Sequence, residues 1–194
     1  LEPQAQGMSA GAYLLLGRNP SASLTASPPV TAQALDSWML LADAASSAFA
    51  LQLAARLGEK GQKTWVAEHP DAVQLSNASH IVSLLGWQDG VDDASRSLGL
   101  LLGHIQSLAR KQAGPMPKLW MIMRGGALAC TSPEEVLPSP AQAAHWGLGR
   151  VVMNEVPQLC STLIDLACDL SDPASLSRLE NELLHPDGAS EIVL

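Results

Sequence analysis

From Ser37 onward the chain alternates short apolar runs with longer segments whose apolar residues recur every three or four positions. Trp38-Met39-Leu40-Leu41 predicts a buried strand, and Ala44–Leu57 a helix that buries Phe49, Leu53 and Leu57 on one face. Gly58 and Gly61 bracket the end of that helix, where a left-handed residue is wanted. Lys63–Ala67 and His80–Leu85 predict further strands, and Ala94–Lys111 a second helix with Leu98, Leu101, Leu102, Ile105 and Leu108 at core spacing. Lys118–Met123 is almost continuously apolar, as a strand covered on both faces of a parallel sheet should be.

Two capping boxes follow, Ser132-Pro133-x-Glu135 and Ser139-Pro140-x-Gln142. Each offers a capping hydroxyl, a proline at the first helical position and a third-position side chain able to reach back to the cap. The second opens a helix that runs to about Val156 and stops at Pro157. Ser161–Leu166 predicts a strand, Asp172-Pro173 starts a last helix with Leu176, Leu179 and Leu183 on one face, and Ser190–Leu194 begins a final strand. Strands alternating with helices make an α/β protein with a mostly parallel sheet flanked by helices. Ahead of this region Ala12–Leu16 predicts one short strand, and residues 20–36, rich in Ser, Ala, Thr and Pro, predict a loop or linker. The last strand reaches the final residue, so a longer parent chain is expected.

Composition narrows the partners. A net charge of −8 with eleven scattered basic residues argues against nucleic acid and anionic membranes, which require clustered Lys and Arg. No apolar run is long enough to cross a bilayer, and the first residues lack the basic start and apolar run of a signal peptide. Cys130, Cys160 and Cys168 are odd in number and lack CxxC spacing, which predicts reduced thiols and a cytoplasmic location.

Gly147-Leu148-Gly149, with Asp165 at the end of the next strand, invites comparison with the dinucleotide fingerprint. That fingerprint must join a strand to a helix N-terminus, so that backbone N–H groups face the pyrophosphate. Here the glycines follow a capped helix start and fall mid-helix, and Val152 stands where the third small residue belongs. The turns where phosphate should bind are unsuited to it. Trp38–Leu41 is followed by Ala42-Asp43-Ala44-Ala45-Ser46-Ser47, which has no glycine and carries an acid that would repel phosphate. Arg124-Gly125-Gly126-Ala127 reads as a sharp turn at a sheet edge.

Other chemistries lack their residues. The only tyrosine, Tyr13, has no lysine four positions on, and the chain has neither a GxSxG elbow nor a Walker loop. The five histidines show no HxH or HExxH spacing, so no metal site is expected. Glu134-Glu135 and Asp92-Asp93 read as solvated caps. Trp146 and Arg150, four apart beside Gly147 and Gly149 with Glu155 further along, admit two readings. Either Trp146 is core and Arg150 pairs with Glu155 or a helix end, or this ridge is an interdomain interface, since Trp and Arg are favoured anchors.

The motifs LWMIMRGGA, QAAHWGLGRVVMNEVPQL and TLIDL resemble the structural subdomain of the ketoreductase in modular type I polyketide synthases. The specific match comprises Arg124, Gly125 and Ala127, then Gln142, Ala143 and Trp146–Arg150, then Glu155, Pro157 and Ile164–Leu166. Gly126 is an extra residue relative to that pattern, and Met123 and His145 also depart from it. The resemblance implies a truncated Rossmann-like fold over residues 37–194 that binds no cofactor and supports a catalytic, NADPH-dependent half outside this chain. It further implies neighbouring dehydratase and, in some relatives, enoylreductase domains, and an acyl carrier protein as an indirect partner. No catalytic, cofactor or metal position carries over, and residues 1–36 become a linker or upstream-domain remnant. The rival expectations are a divergent NADPH-binding reductase using Gly147, Gly149 and Asp165, and an inactive scaffold with no catalytic half at all.

Overall fold

A computed structural model describes residues 36–88, 90–111, 114–126, 139–166 and 173–194. The strand expected at Ala12–Leu16, the capping box at Ser132 and the cysteines Cys130 and Cys168 lie outside these residues.

Six strands form one sheet. They are β1 (Ser37–Leu41), β2 (Lys63–Ala67), β3 (His80–Ser83), β4 (Lys118–Met123), β5 (Thr162–Asp165) and β6 (Glu191–Val193). The order is β2-β1-β3-β4-β5-β6 and every pairing is parallel. The expected α/β class and Rossmann-like, mostly parallel sheet are therefore observed, and each strand falls where the apolar runs predict it. Strand side chains alternate between two cores. Trp38, Leu40, Val82, Trp120, Ile122 and Ile164 pack under α1 (Ser47–Glu59) and α5 (Pro173–Leu184). Met39, Leu41, Ile81, Leu119, Met121 and Leu163 pack on the other face under α2 (Ala72–Asn77), α3 (Val91–Ala109) and α4 (Pro140–Glu155).

Three expectations need correction, and one helix goes unmarked by the apolar pattern. Helix α1 starts at Ser47 rather than Ala44, because Asp43 and Ser46 bond each other in a tight turn before it. Leu102 is 41% exposed, so the core stripe of α3 is Ala94, Ser97, Leu101, Ile105 and Leu108. Helix α2, which the apolar pattern does not mark, is set by a capping box between Asp71 and Gln74. Finally, Arg124–Gly126 is no sheet-edge turn: it leaves β4, which lies inside the sheet between β3 and β5.

Candidate functional site

In a parallel sheet of this kind, ligands bind outside the carboxyl ends of the strands where the chain reverses its direction of winding. Here that point lies between β1 and β3, since β2 is laid down on one side of β1 and all later strands on the other. A cavity of about 210 Å³ opens there, and its lining includes Asp43, Glu68, Leu85, Gly86, Asp93 and Arg96.

The turns that would form a ligand cradle are bonded to one another by side chains. Asp43, which leaves β1 and is 9% exposed, is the centre of this network. Its Oδ1 accepts the backbone N–H of Ala45 (3.1 Å) and Ser46 (2.9 Å) and the Ser46 hydroxyl (2.9 Å) at the start of α1. Its Oδ2 accepts the backbone N–H of Gly86 (2.8 Å) and Trp87 (3.3 Å) beyond β3. A helix start and a glycine turn converging on one anion is the arrangement that binds phosphate in nucleotide folds. In this chain the anion is the protein's own carboxylate. Gly86 has φ +81°, and the His145 ring of α4 fills the space a side chain there would need, so residue 86 must be glycine on both counts.

The next strands are tied in the same way. The Gln142 side chain accepts the N–H of Arg124 (2.9 Å) and donates to the Gly86 carbonyl, joining the turns after β3 and β4. Ser139 does cap the Gln142 N–H at 3.4 Å, but the expected return bond of a capping box is replaced by this bridge. Trp87 donates its indole N–H to the Ile122 carbonyl at 3.0 Å, and the Arg124 guanidinium lies over its ring. Asp165, fully buried at the end of β5, accepts the Gly125 N–H at 2.6 Å.

The cavity does not suit a dinucleotide. Asp43, Glu68 and Asp93 all line it, and the one guanidinium present, on Arg96, is paired with Asp93 at 3.0 Å. A pyrophosphate there would face carboxylates at close range in a partly dry site. No group of three or more His, Cys, Asp or Glu able to hold a metal occurs among the described residues. His145 is almost fully buried, with Nδ1 2.9 Å from the Ala141 carbonyl, and burial holds its pKa below the ordinary imidazole value.

The remaining sequence-selected residues lie on α4 and its surroundings. Gly147 and Gly149 sit inside the helix, as their position after the capped start predicts. Gly149 is buried, and a side chain there would overlap Leu163 of β5, so glycine sets the helix–sheet approach. Gly147 is exposed with open space above it. Trp146 points into the core and is 7% exposed. Arg150 does not pair with Glu155: it makes a two-pronged ion pair with Glu191 of β6 (2.7 and 2.8 Å) and lies over the Trp146 ring. That pairing raises the Arg150 pKa and lowers that of Glu191. Glu155 is exposed in the last turn.

Sequence reasoning missed the roles of Gln142, Trp87 and His145, and saw Asp43 only as a phosphate repellent. The Asp43-x-x-Ser46 spacing signals a side-chain turn, but the partners across the sheet have no local signature.

Comparison with known proteins fits this architecture. Residues 21–192 match the family described as the Rossmann fold domain of the polyketide synthase extender module SpnB. Over 188 residues the chain is 32% identical to polyketide synthase GfsA of Streptomyces halstedii, covering 81% of this chain and 2% of that protein. Over 119 residues it is 33% identical to the pikromycin polyketide synthase component PikAII of Streptomyces venezuelae, covering 59% of this chain and 3% of that one. The chain thus spans a few hundredths of the length of these curated relatives. Among solved structures it shares its fold with an A-type ketoreductase from a modular polyketide synthase, with a TM-score of 0.60, 24% identity, and coverage of 88% of this chain and 38% of the other. The chain belongs to the family of Rossmann fold domains of polyketide synthase extender modules.

Proposed function

We propose that this domain is the structural, non-catalytic half of a polyketide synthase ketoreductase, supporting a catalytic NADPH-dependent half that lies outside this chain. The observation that carries the reading is Asp43. Its carboxylate takes up the converging N–H groups that a cofactor phosphate would use, within a cavity lined by two further acids. The same observation speaks against a divergent NADPH-binding reductase, as does the burial of Asp165 against Gly125.

The docking face in this reading is the outer surface of α3 and α4 together with the edge at β6. Gly99 and Gly103 of α3 and Gly147 of α4 are exposed, and among the described residues a side chain at any of them would meet nothing within 4 Å beyond its own stretch of helix. Each glycine costs a helix interior roughly 0.5–1 kcal/mol relative to alanine. Nothing among the described residues offsets that cost, whereas an external helix brought close to these backbones would. Gly58 is equally open but sits in the closing turn of α1, where glycine is common. Leu102 and Val151, 41% and 54% exposed, add apolar surface to the same two helices, and Arg150 fixes α4 to β6. Interdomain contact at Gly147, Arg150 and Glu155 follows from this face, with Trp146 shaping it from beneath.

The test is co-purification with the catalytic half. A chain carrying Gly99→Leu and Gly147→Leu should keep its fold, since both sites are open, and lose the complex. Undiminished co-purification would contradict docking through α3 and α4.

A further inference from the structure

The Asp43 network closes the carboxyl end of the sheet. A second cluster of polar and aromatic side chains occupies the amino end, on the face covered by α1 and α5. Trp38, His80 and Lys118 are register neighbours there, at the starts of β1, β3 and β4. The His80 ring lies flat on Trp38, with centroids 4.0 Å apart and planes 12° from parallel. Its Nδ1 accepts the indole N–H of Trp120 at 3.3 Å, and its Nε2 faces the Asp36 carboxylate at 3.7 Å. The Lys118 ammonium sits over the Trp120 ring, 3.7 Å from its centre. An indole nitrogen only donates, so the neutral His80 ring must carry its proton on Nε2 and leave Nδ1 bare. Trp120 is fully buried, so its N–H has no water to turn to.

We propose that His80 is a proton-operated latch: neutral, it ties β3 to β4 through Trp120, and protonated, it releases Trp120 and loosens the amino end of the sheet while the carboxyl end stays closed. A second proton must go on Nδ1, which would then point a donor at the Trp120 N–H. The imidazolium and the Trp120 bond therefore exclude each other, and a buried donor left without an acceptor is costly. The surroundings of the ring set where the latch acts. Burial holds the His80 pKa below the ordinary imidazole value; Asp36, just before β1, opposes that effect, and Lys118 of β4 adds to it. Glu182 of α5 attracts Lys118, and burial raises the pKa of Glu182. As the pH falls, Lys118 thus gains a cationic neighbour in His80 and loses an anionic one in Glu182, so both titrations loosen the same corner. The latch uses no residue of the cavity or of the α3–α4 face.

Nuclear magnetic resonance of the full chain from neutral to mildly acid pH tests this. It follows the His80 ring protons together with hydrogen exchange of the Trp120 indole N–H, corrected for its intrinsic rate. Protection of that N–H should fall by at least about tenfold as His80 titrates. The Gly125 amide, held by Asp165 at the other end of the sheet, should keep its protection over the same range. His80→Asn, whose side-chain oxygen accepts the indole N–H but binds no proton, should hold the Trp120 protection constant. If that variant misfolds, Asp36→Asn decides: Asp36 is exposed and favours the imidazolium, so its loss should move the opening to lower pH. A Trp120 N–H that stays protected while His80 titrates, that is lost only together with the Gly125 amide, or that opens at the same or a higher pH in Asp36→Asn, overturns the proposal.

Discussion

Replacing Asp43 by alanine isolates the feature on which the functional reading depends. The wild-type carboxylate accepts four backbone N–H groups and one hydroxyl. Ala45 is exposed and its N–H can turn to water, whereas Ser46, Gly86 and Trp87 are buried. Each buried donor left without an acceptor costs about 1–3 kcal/mol, and the Trp87 bond is the longest, so the loss should be roughly 3–5 kcal/mol. For a chain of this size that lowers Tm by about 10 °C. The more telling half of the experiment is rescue. Alanine leaves N–H groups from the start of α1 and from the Gly86 turn converging on an empty anion position. Inorganic phosphate or sulfate should therefore raise the Tm of Asp43→Ala by several degrees more than that of the wild type, compared at equal ionic strength because both salts stabilise folded proteins in general. Thermal unfolding in chloride, sulfate and phosphate reads both effects. A stability loss below about 1 kcal/mol, together with identical anion responses of the two proteins, would refute the view that Asp43 stands in for a bound phosphate.

Two other predictions concern stability. Gly149→Ala should cost about 1–3 kcal/mol, because the new methyl overlaps Leu163, while Gly147→Ala should be neutral or stabilising by up to about 1 kcal/mol; chemical denaturation of both separates the packed glycine from the open one. Burial pushes the pKa of His145, His80 and His104 below the ordinary imidazole value. The unfolded chain thus binds protons first as the pH falls below about 6.5, and stability should drop from neutral pH downward through that window. His145→Gln should flatten part of the slope, and a denaturant midpoint that is constant between neutral and mildly acid pH would contradict the assignment.

The fold was largely legible because its central strands are covered on both faces. A buried parallel strand must be apolar at nearly every position, so Trp38–Leu41 and Lys118–Met123 stand out from the sequence without reference to any partner. Helix α2 was not legible from periodicity: it is six residues long and has one buried side chain, Leu75, so only its Asp71–Gln74 cap marks it. Asp43, Gln142 and Asp165 illustrate the other limit. Each is polar at the end of an element, where a sequence shows a cap or a turn. Their work is done on backbone groups 18 to 56 residues away, and only the order β1-β3-β4-β5 brings those groups within reach. Gly147 and Gly149 look alike in sequence, and the sheet distinguishes them by placing Leu163 beneath one and nothing above the other.

The most direct measurement of the central claim is a calorimetric titration of the chain with NADPH. A structural half whose cradle is filled by Asp43 predicts no saturable heat at any concentration of cofactor that the instrument reaches. A micromolar site of unit stoichiometry would contradict it, and would return Gly147, Gly149 and Asp165 to consideration as part of a working reductase.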